Sequence, residues 1–158
     1  MRALIYKWIS SDVWNIVSAK VQTKIDIVLN KPETILLVDD EPMVVALVGT
    51  VLDREGYRVV RAVGSEAALE WAECPGESPD LLLTDVTMPV LTGPRLAEAI
   101  RNAHPAAKIL FMTAHSANGD HDYGIPANAD VIRKPFRVAE LVERVRLALA
   151  PRSAAAAC

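Results

Sequence analysis

From Thr34 onward, short aliphatic segments alternate with longer amphipathic ones, and this alternation constrains the fold more than any other feature of the chain. Short continuous apolar runs are typical of strands that are buried on both faces. Segments with apolar residues every three or four positions are typical of helices that cover such strands. The alternation therefore predicts an α/β fold with a doubly wound, five-stranded parallel sheet, a (βα)5 arrangement. The predicted strands are Ile35 to Val38, Tyr57 to Ala62, Leu81 to Asp85, Ile109 to Met112 and Asp130 to Arg133.

Local signals mark the helices between these strands. Pro42 suits the first turn after strand one, because its missing N–H costs nothing there. Ser65 is predicted to be the N-cap of the next helix, which extends to Glu73. Between His115 and Ala129, glycine and proline interrupt the helical pattern, so we expect a short, irregular or mobile element. The remaining predicted helices run from the Gly93-Pro94 loop to about Asn102 and from Arg137 to Leu149.

Length and composition exclude several classes of protein. A chain of 158 residues has room for one domain of ordinary size and a short appendage. Hydrophobic residues make up 51% of the chain, which is typical of a globular protein and not of a disordered one. The net charge of −3 provides no basic field, so nucleic acid is disfavoured as the principal ligand. Two cysteines without a paired spacing, no secretion signal and no long apolar run predict a cytoplasmic protein.

Acidic side chains collect at the predicted carboxyl ends of the strands, which is where ligands bind in open parallel sheets. Asp39, Asp40 and Glu41 follow strand one, and Asp85 ends strand three. Carboxylates that face one crevice repel one another, so this pattern predicts a bound cation. Mg²⁺ meets the requirement, because it takes a few carboxylates, a backbone carbonyl and waters, and it bridges to phosphoryl groups.

Two further residues at the same edge suit a phosphoryl group. Lys134 supplies a positive charge and Thr113 a hydroxyl donor, the electrostatic needs of phosphoryl transfer. A carboxylate at the centre of such a cluster forms an acyl phosphate, and Asp85 on the middle strand is the best candidate nucleophile. Taken singly, the acidic run is equally a helix cap, Thr113 a strand-end hydroxyl and Lys134 a surface charge. Only their combination indicates phosphoryl chemistry.

Four sequence motifs resemble those of the receiver domains of two-component response regulators. They are ILLVDDEP at residues 35–42, PDLLLTDVTMP at residues 79–89 with Gly93 beyond it, FMTA at residues 111–114 and KPF at residues 134–136. The motifs stand in the family's order at compatible spacing and cover about residues 33–150. The resemblance implies the flavodoxin-like fold of CheY-like proteins, with strand order 2-1-3-4-5.

The resemblance also implies how a phosphoryl site would be built. Asp85 would be the phosphoacceptor and Asp40 a direct Mg²⁺ ligand. Asp39 would act mainly through water, and the backbone carbonyl of Thr87 would complete the protein ligands. Mn²⁺ is the alternative ion.

The resemblance assigns the switching residues to the ends of strands four and five. Thr113 would move toward the phosphoryl group, and Lys134 would pair with it across a cis peptide bond to Pro135. The chain departs from the family at Val131, where members that couple an aromatic rotamer to activation carry Tyr or Phe. It also carries Gly-Ile-Pro at residues 124–126, which is expected to reshape the surface between strands four and five.

Two residues are expected to tune the lifetime of the acyl phosphate. Thr87 lies two positions after Asp85, and His115 lies two positions after Thr113. Both would flank the path of the water that hydrolyses the phosphoryl group. We therefore expect their identity to set the rate of autodephosphorylation.

The first 32 residues lie outside the alternating pattern and form an N-terminal extension. The segment is open to three interpretations: an amphipathic helix that dimerises or covers the receiver surface, a weak membrane-surface contact, or an unstructured leader. Residues 33–150 are the predicted receiver domain, and residues 151–158 are a tail expected to fray. The apolar residues at helical spacing in the extension are Trp14, Val17, Val21, Ile25 and Val28.

Together these features predict a stand-alone response regulator receiver. It would accept phosphate on Asp85 from the phosphohistidine of a sensor histidine kinase or phosphotransfer protein, and then switch a surface that binds an unknown downstream protein. It would catalyse only its own phosphorylation and dephosphorylation, carry no DNA-binding domain, and form any homodimer through residues 1–32 or the receiver surface. The alternatives are a protein-interaction module that needs no phosphate and a detached receiver of a hybrid histidine kinase.

Overall fold

The computed structural model describes residues 31–114 and 124–150. By its internal contacts the chain divides into two units, Met1–Pro32 and Glu33–Cys158, and the described strands and helices all belong to the second. The predictions for the N-terminal extension, for His115 and for the C-terminal tail lie outside the described residues.

Five parallel strands form one sheet in the order β2-β1-β3-β4-β5, which confirms the predicted fold and strand order. Four helices cover it within the described part of the chain. The strands are β1 (Thr34–Asp39), β2 (Arg58–Val63), β3 (Leu81–Asp85), β4 (Lys108–Thr113) and β5 (Asp130–Arg133). The helices are α1 (Pro42–Arg54), α2 (Ser65–Ala72), α3 (Gly93–Ala103) and α4 (Val138–Leu149).

The sheet separates two apolar layers, because successive side chains of a strand point to opposite faces. Leu36 and Val38 of β1 pack in the layer covered by α2 and α3, and Ile35 and Leu37 pack in the layer covered by α1 and α4. Every residue of β1 and of β3 is buried, whereas the edge strands β2 and β5 each expose part of their length. Burial on both faces explains why the central strands read as continuous apolar runs.

The start of α2 differs from the prediction. Gly64, at φ 87°, takes the N-cap position and donates its N–H to the carbonyl of Asp39, so Ser65 becomes the first helical residue. Among the described residues, the buried Ser65 hydroxyl has no hydrogen-bond partner, and it does not cap the helix. The prediction failed because only glycine takes this positive φ freely, and the turn therefore ends one residue earlier than the serine signal indicates.

The described part of the predicted irregular segment contains no helix. Ala127 and Asn128 form a turn, and the Ala129 N–H donates to the carbonyl of Pro126 just before β5 begins. Among the helices that the structure describes, none is both long enough and apolar enough to cross a membrane.

Candidate functional site

Three strands deliver charged side chains to the carboxyl edge of the sheet. Asp39 ends β1 and is 0% exposed, and Asp85 ends β3 and is 5% exposed. Lys134 directly follows β5, and its Nζ lies 2.6 Å from Oδ2 of Asp39 and 2.6 Å from Oδ1 of Asp85. One ammonium group therefore bridges two buried carboxylates that come from neighbouring central strands.

Both carboxylates are also held by the backbone of the loops that come after them. Oδ2 of Asp85 accepts the N–H of Thr87 at 2.8 Å and its hydroxyl at 3.3 Å. Oδ1 of Asp39 accepts the N–H of Glu41 at 3.0 Å. Each carboxylate thus has one oxygen on Lys134 and the other on its own loop, which fixes the orientation of both groups.

The environment of Lys134 keeps it charged. Burial acts to lower the pKa of this amine, but the hydrogen bonds and negative charges of Asp39 and Asp85 outweigh burial and raise the pKa above its ordinary value. A permanent positive charge therefore lies between the two carboxylates at neutral pH.

Backbone contacts set the positions of β3, β4 and Lys134 relative to one another. The Lys134 N–H donates to the carbonyl of Thr113 at 2.7 Å, and the Val86 N–H donates to the carbonyl of Met112 at 3.0 Å. Thr113 is buried at the end of β4, one residue beyond the strand partner of Asp85. The peptide bond between Lys134 and Pro135 is cis.

Gly93 belongs to the second sequence motif, and it permits a close approach to β3 that the residue pattern alone does not predict. Its N–H donates to the carbonyl of Val86 at 2.9 Å, which folds the loop after β3 back onto the strand. A Cβ atom at this position would overlap the backbone oxygen of Asp85. Glycine at the start of α3 therefore lets the helix begin directly against the strand end that carries Asp85.

The structure brings Asp39, Asp85, Thr87 and Lys134 into one hydrogen-bonded cluster. Asp40 is the next residue after β1 and is exposed, and it makes no ion pair with another described residue. Val131 is half-buried in β5 opposite Phe111 of β4, and its carbonyl accepts a hydrogen bond from Arg144 of α4. The Arg144 contact had no signal in the sequence, since it joins an arginine to a backbone group.

The carboxylate oxygens at this edge of the sheet are the type of ligand that a hard divalent cation prefers. Asp39 and Asp85 offer carboxylate oxygens that already bind a cation, the ammonium of Lys134. Within residues 31–114 and 124–150, no group of three or more His, Cys, Asp or Glu side chains lies in an arrangement that could hold a metal ion. The residue types therefore fit the ion, whereas a site preformed by three side chains is not present in the described part of the chain.

A sequence model of the response regulator receiver domain matches residues 35–146. Among curated proteins, the alkaline phosphatase synthesis transcriptional regulatory protein PhoP of Bacillus subtilis is 39% identical over 116 residues, covering 73% of this chain and 48% of that protein. The transcriptional regulatory protein CpxR of Escherichia coli K12 is 37% identical over 116 residues, with the same coverage of 73% and 48%. The chain spans about half the length of the curated relatives it matches.

Solved structures give the same result. A response regulator receiver protein from Sinorhizobium medicae superposes with a TM-score of 0.67 at 27% identity, covering 78% of this chain and 98% of that chain. The chemotaxis protein CheY4 of Vibrio cholerae gives a TM-score of 0.66 at 26% identity over 75% of this chain and 99% of that chain. The receiver domain of the hybrid histidine kinase CckA gives 0.62 at 32% identity, with coverages of 74% and 99%.

Proposed function

The chain belongs to the response regulator receiver family, and from this membership we propose that its Asp85 accepts a phosphoryl group from a phosphohistidine. Receiver domains interact with histidine kinases in two-component signalling, and they are signalling domains, not typical enzymes. One observation carries the proposal. A single ammonium, that of Lys134, binds the buried carboxylates of Asp39 and Asp85 at 2.6 Å each.

The arrangement of Asp85 supports a role as nucleophile. In the proposed transfer, a carboxylate oxygen of Asp85 attacks the phosphorus, the new P–O bond forms as the P–N bond of phosphohistidine breaks, and the imidazole nitrogen leaves with the bonding electron pair. Hydrogen bonds to both oxygens hold the carboxylate in one orientation before the donor arrives. The charge of Lys134 then stabilises negative charge that builds up on the phosphoryl oxygens.

Charge balance supports the use of a divalent cation. Asp39, Asp85 and Lys134 sum to one negative charge, and an acyl phosphate on Asp85 raises this to about two negative charges. Receiver domains generally use Mg²⁺, and we propose that Asp39, Asp40, Asp85 and the carbonyl of Thr87 hold Mg²⁺ or Mn²⁺ here. When bound, the ion neutralises charge on the phosphoryl oxygens.

The response to phosphorylation is proposed to run through Thr113. Thr113 is buried at the end of β4, the strand that pairs with β3, and it lies one residue beyond the partner of Asp85. Its hydroxyl can donate to a phosphoryl oxygen. Val131 supplies no aromatic ring to follow such a movement. The switch would then act on the protein-binding surface through the backbone link from Thr113 to Lys134.

Val131 also favours a second candidate function, a protein-interaction module that needs no phosphate. Its carbonyl is tied to Arg144, which joins β5 to α4 without the aromatic residue that relatives use there. A detached receiver of a hybrid histidine kinase is a third arrangement, supported by the similarity to the receiver of CckA. The stand-alone receiver stays a prediction, since the curated relatives are about twice as long as the matched region. The cytoplasmic location also stays a prediction.

Thr87 is proposed to tune the lifetime of the acyl phosphate. Its hydroxyl lies 3.3 Å from Oδ2 of Asp85, so a change in its size or polarity alters the path of an attacking water. The corresponding prediction for His115 lies outside the described residues. A half-life of phosphorylated Asp85 that is unchanged in Thr87→Ala would contradict the role of Thr87.

The proposal is tested by incubating the full chain with acetyl phosphate and MgCl₂ and measuring its intact mass. We expect one phosphoryl adduct on the wild type, none after chelation of Mg²⁺, and none on Asp85→Asn. Asp80→Asn is the matched control, because Asp80 lies at the other end of β3, where its carboxylate accepts the N–H of Thr34 at 2.7 Å. An unmodified wild type, or an equal adduct on a folded Asp85→Asn protein, would overturn the proposal.

A further inference from the structure

The loop that follows β3 contains a strained residue. Val90 has φ 66°, and among the residues that the structure describes it is the only one other than glycine with a positive φ. The Leu91 N–H donates to the carbonyl of Pro89 at 2.7 Å, so Val90 is the central residue of a γ-turn of the rare, positive-φ form. A β-branched side chain is seldom found in this conformation, because it crowds the backbone. Such strain is stored mainly at functional sites.

The rest of this loop is anchored on both sides of Val90. Met88 is buried, and Leu91 is half-buried against the same apolar layer. The bond from the Gly93 N–H to the carbonyl of Val86 closes the loop. Val90 itself is 78% exposed, so its side chain gains little from packing within the described part of the chain. The stability of the fold therefore does not explain why a valine occupies the turn.

Exposed valines lie along the edge of the sheet that carries Asp85. Val63 ends β2 and is 51% exposed, and Val138 begins α4, after β5, and is 58% exposed. Val90 follows β3, which lies between those two strands in the sheet. These three residues, the valine rim, share one edge because the carboxyl ends of parallel strands meet there. The reactive carboxylate of Asp85 is therefore flanked by apolar side chains that are open to solvent.

A protein that carries a phosphohistidine reaches Asp85 only by covering this edge. Asp85 is 5% exposed, and the N–H and hydroxyl of Thr87, in the loop after β3, bind one of its oxygens. For transfer, the phosphorus must come within about 3–3.5 Å of a carboxylate oxygen. The imidazole ring of histidine is joined to its backbone by a single CH₂ group, so the surface that carries it must contact the loops around Asp85. A small donor such as acetyl phosphate meets no such requirement.

We propose that Val90 is a specificity-determining contact for this phosphodonor protein, which presents an apolar surface beside its phosphohistidine. The inference rests on the proposed transfer to Asp85, since that reaction brings the donor to the loop after β3. Contact with the donor removes an exposed valine from water, which favours association. The γ-turn fixes the direction of the side chain before the donor arrives, so little conformational freedom is lost on binding. The charged cluster then acts on every phosphodonor, and Val90 selects among those that are proteins.

The proposal is tested with Val90→Gly and Val90→Asn in the full chain, since glycine and asparagine accept a positive φ and supply no apolar side chain. The probe is the autophosphorylated histidine kinase that transfers fastest to the wild type, selected from the kinases of the source organism. In both variants we expect the receiver concentration for half-maximal transfer to rise about 5–20-fold, with the maximal rate unchanged. Leu147→Asn is the matched control and is expected to behave like the wild type, because Leu147 is 56% exposed in the last turn of α4, at the opposite edge of the sheet.

Acetyl phosphate separates the failure of this inference from the failure of the proposed function. It is expected to modify the wild type and all three variants at the same rate, because a small donor makes no contact that needs Val90. A wild type that acetyl phosphate does not modify overturns the proposed function itself.

The remaining outcomes bear on Val90 alone. Kinase transfer that keeps the wild-type concentration dependence in both Val90 variants overturns the specificity role and leaves Val90 to a downstream protein. A wild type that acetyl phosphate modifies and no kinase does overturns it as well. An equal loss of rate with acetyl phosphate also overturns it, because Val90 would then act on the chemistry, and an equal weakening in Leu147→Asn would show that the effect is not confined to the edge that carries Asp85.

Discussion

Gly93 and Gly49 are both buried glycines, yet the atoms around them differ in kind. A side chain at Gly93 would meet the backbone oxygen of Asp85, which β3 and its neighbours hold in place. A side chain at Gly49 would meet the guanidinium of Arg61, the mobile end of a long side chain. The cost of adding one methyl group therefore depends on whether the obstacle is able to move.

We predict that Gly93→Ala lowers the free energy of unfolding by about 1–3 kcal/mol, because the backbone at Asp85 must shift. Gly49→Ala is the matched control. It gains about 1 kcal/mol of helix propensity and disturbs only the half-exposed pair of Arg61 and Asp53, which is worth at most about 1 kcal/mol. Urea denaturation measures both variants, and equal stability of the two would contradict this explanation.

At the residue scale, the kinds of side chain that form the site could be predicted from the sequence, but the distances between them could not. The carboxylates of Asp39 and Asp85 and the amine of Lys134 were identified because they lie at strand ends. The two carboxylates share one ammonium group because of the distances between strands, and a local sequence pattern does not predict those distances. Ser65 was misassigned for a related reason, since the φ of Gly64 decides where α2 begins.

At the scale of single elements, the end of α4 shows how a helix is fastened to the sheet. The last carbonyl groups of a helix have no partner within it. Nζ of Lys108, at the start of β4, donates to the carbonyl of Leu149 at 2.6 Å and to that of Ala150 at 2.8 Å. This cation lies at the negative end of the helix dipole and anchors the last turn.

We predict that Lys108→Met lowers the free energy of unfolding by about 1–2 kcal/mol, because two carbonyl groups lose a charged donor. Amide hydrogen exchange in the last turn of α4 is expected to become faster than in the wild type. Arg101→Met, in the last turn of α3, is the control, because Arg101 is exposed and makes no comparable hydrogen bond with the residues that the structure describes. Unchanged exchange at α4 in Lys108→Met would rule out this anchoring role.

Element order and type were predictable because burial on two faces leaves a strong pattern. β1 and β3 were recognisable as continuous apolar runs, and α1 and α4 as amphipathic periods. The boundaries of β3 and β5 match their predictions, whereas those of the other three strands differ by one residue, as is usual for element ends. β5 is the shortest strand of the sheet, and only its Ile132 is fully buried. It was predicted more from its place in the alternation of strands and helices than from its own residues.

At the scale of the whole molecule, two groups make stability depend on alkaline pH. Burial, together with the charges of Glu33 and Glu55, raises the pKa of Tyr57, and the carboxylates of Asp39 and Asp85 raise the pKa of Lys134 despite burial. In the unfolded chain these groups release their protons near pH ~10 to ~10.4. The native state releases these protons at a higher pH than the unfolded chain does, so rising pH favours unfolding in this range.

We predict that the free energy of unfolding carries the full contribution of these groups below pH ~10 and falls as pH rises through their native-state pKa values. Urea titrations at several alkaline pH values measure the slope. Tyr57→Phe is expected to reduce the slope, because phenylalanine has no proton to lose. A stability that rises with pH in this range would contradict the assignment.

The contacts of Lys134 also determine when the charged cluster is completed during synthesis of the chain. The amine reaches Asp39 across 95 positions of the chain and Asp85 across 49. A ribosome-bound chain that has emerged only as far as β4 holds both acidic groups and lacks their cation. The cluster of Asp39, Asp85 and Lys134 is therefore completed late, by the residue that follows the last strand, and a chain that ends before β5 would lack the cation that the proposed phosphoryl transfer uses.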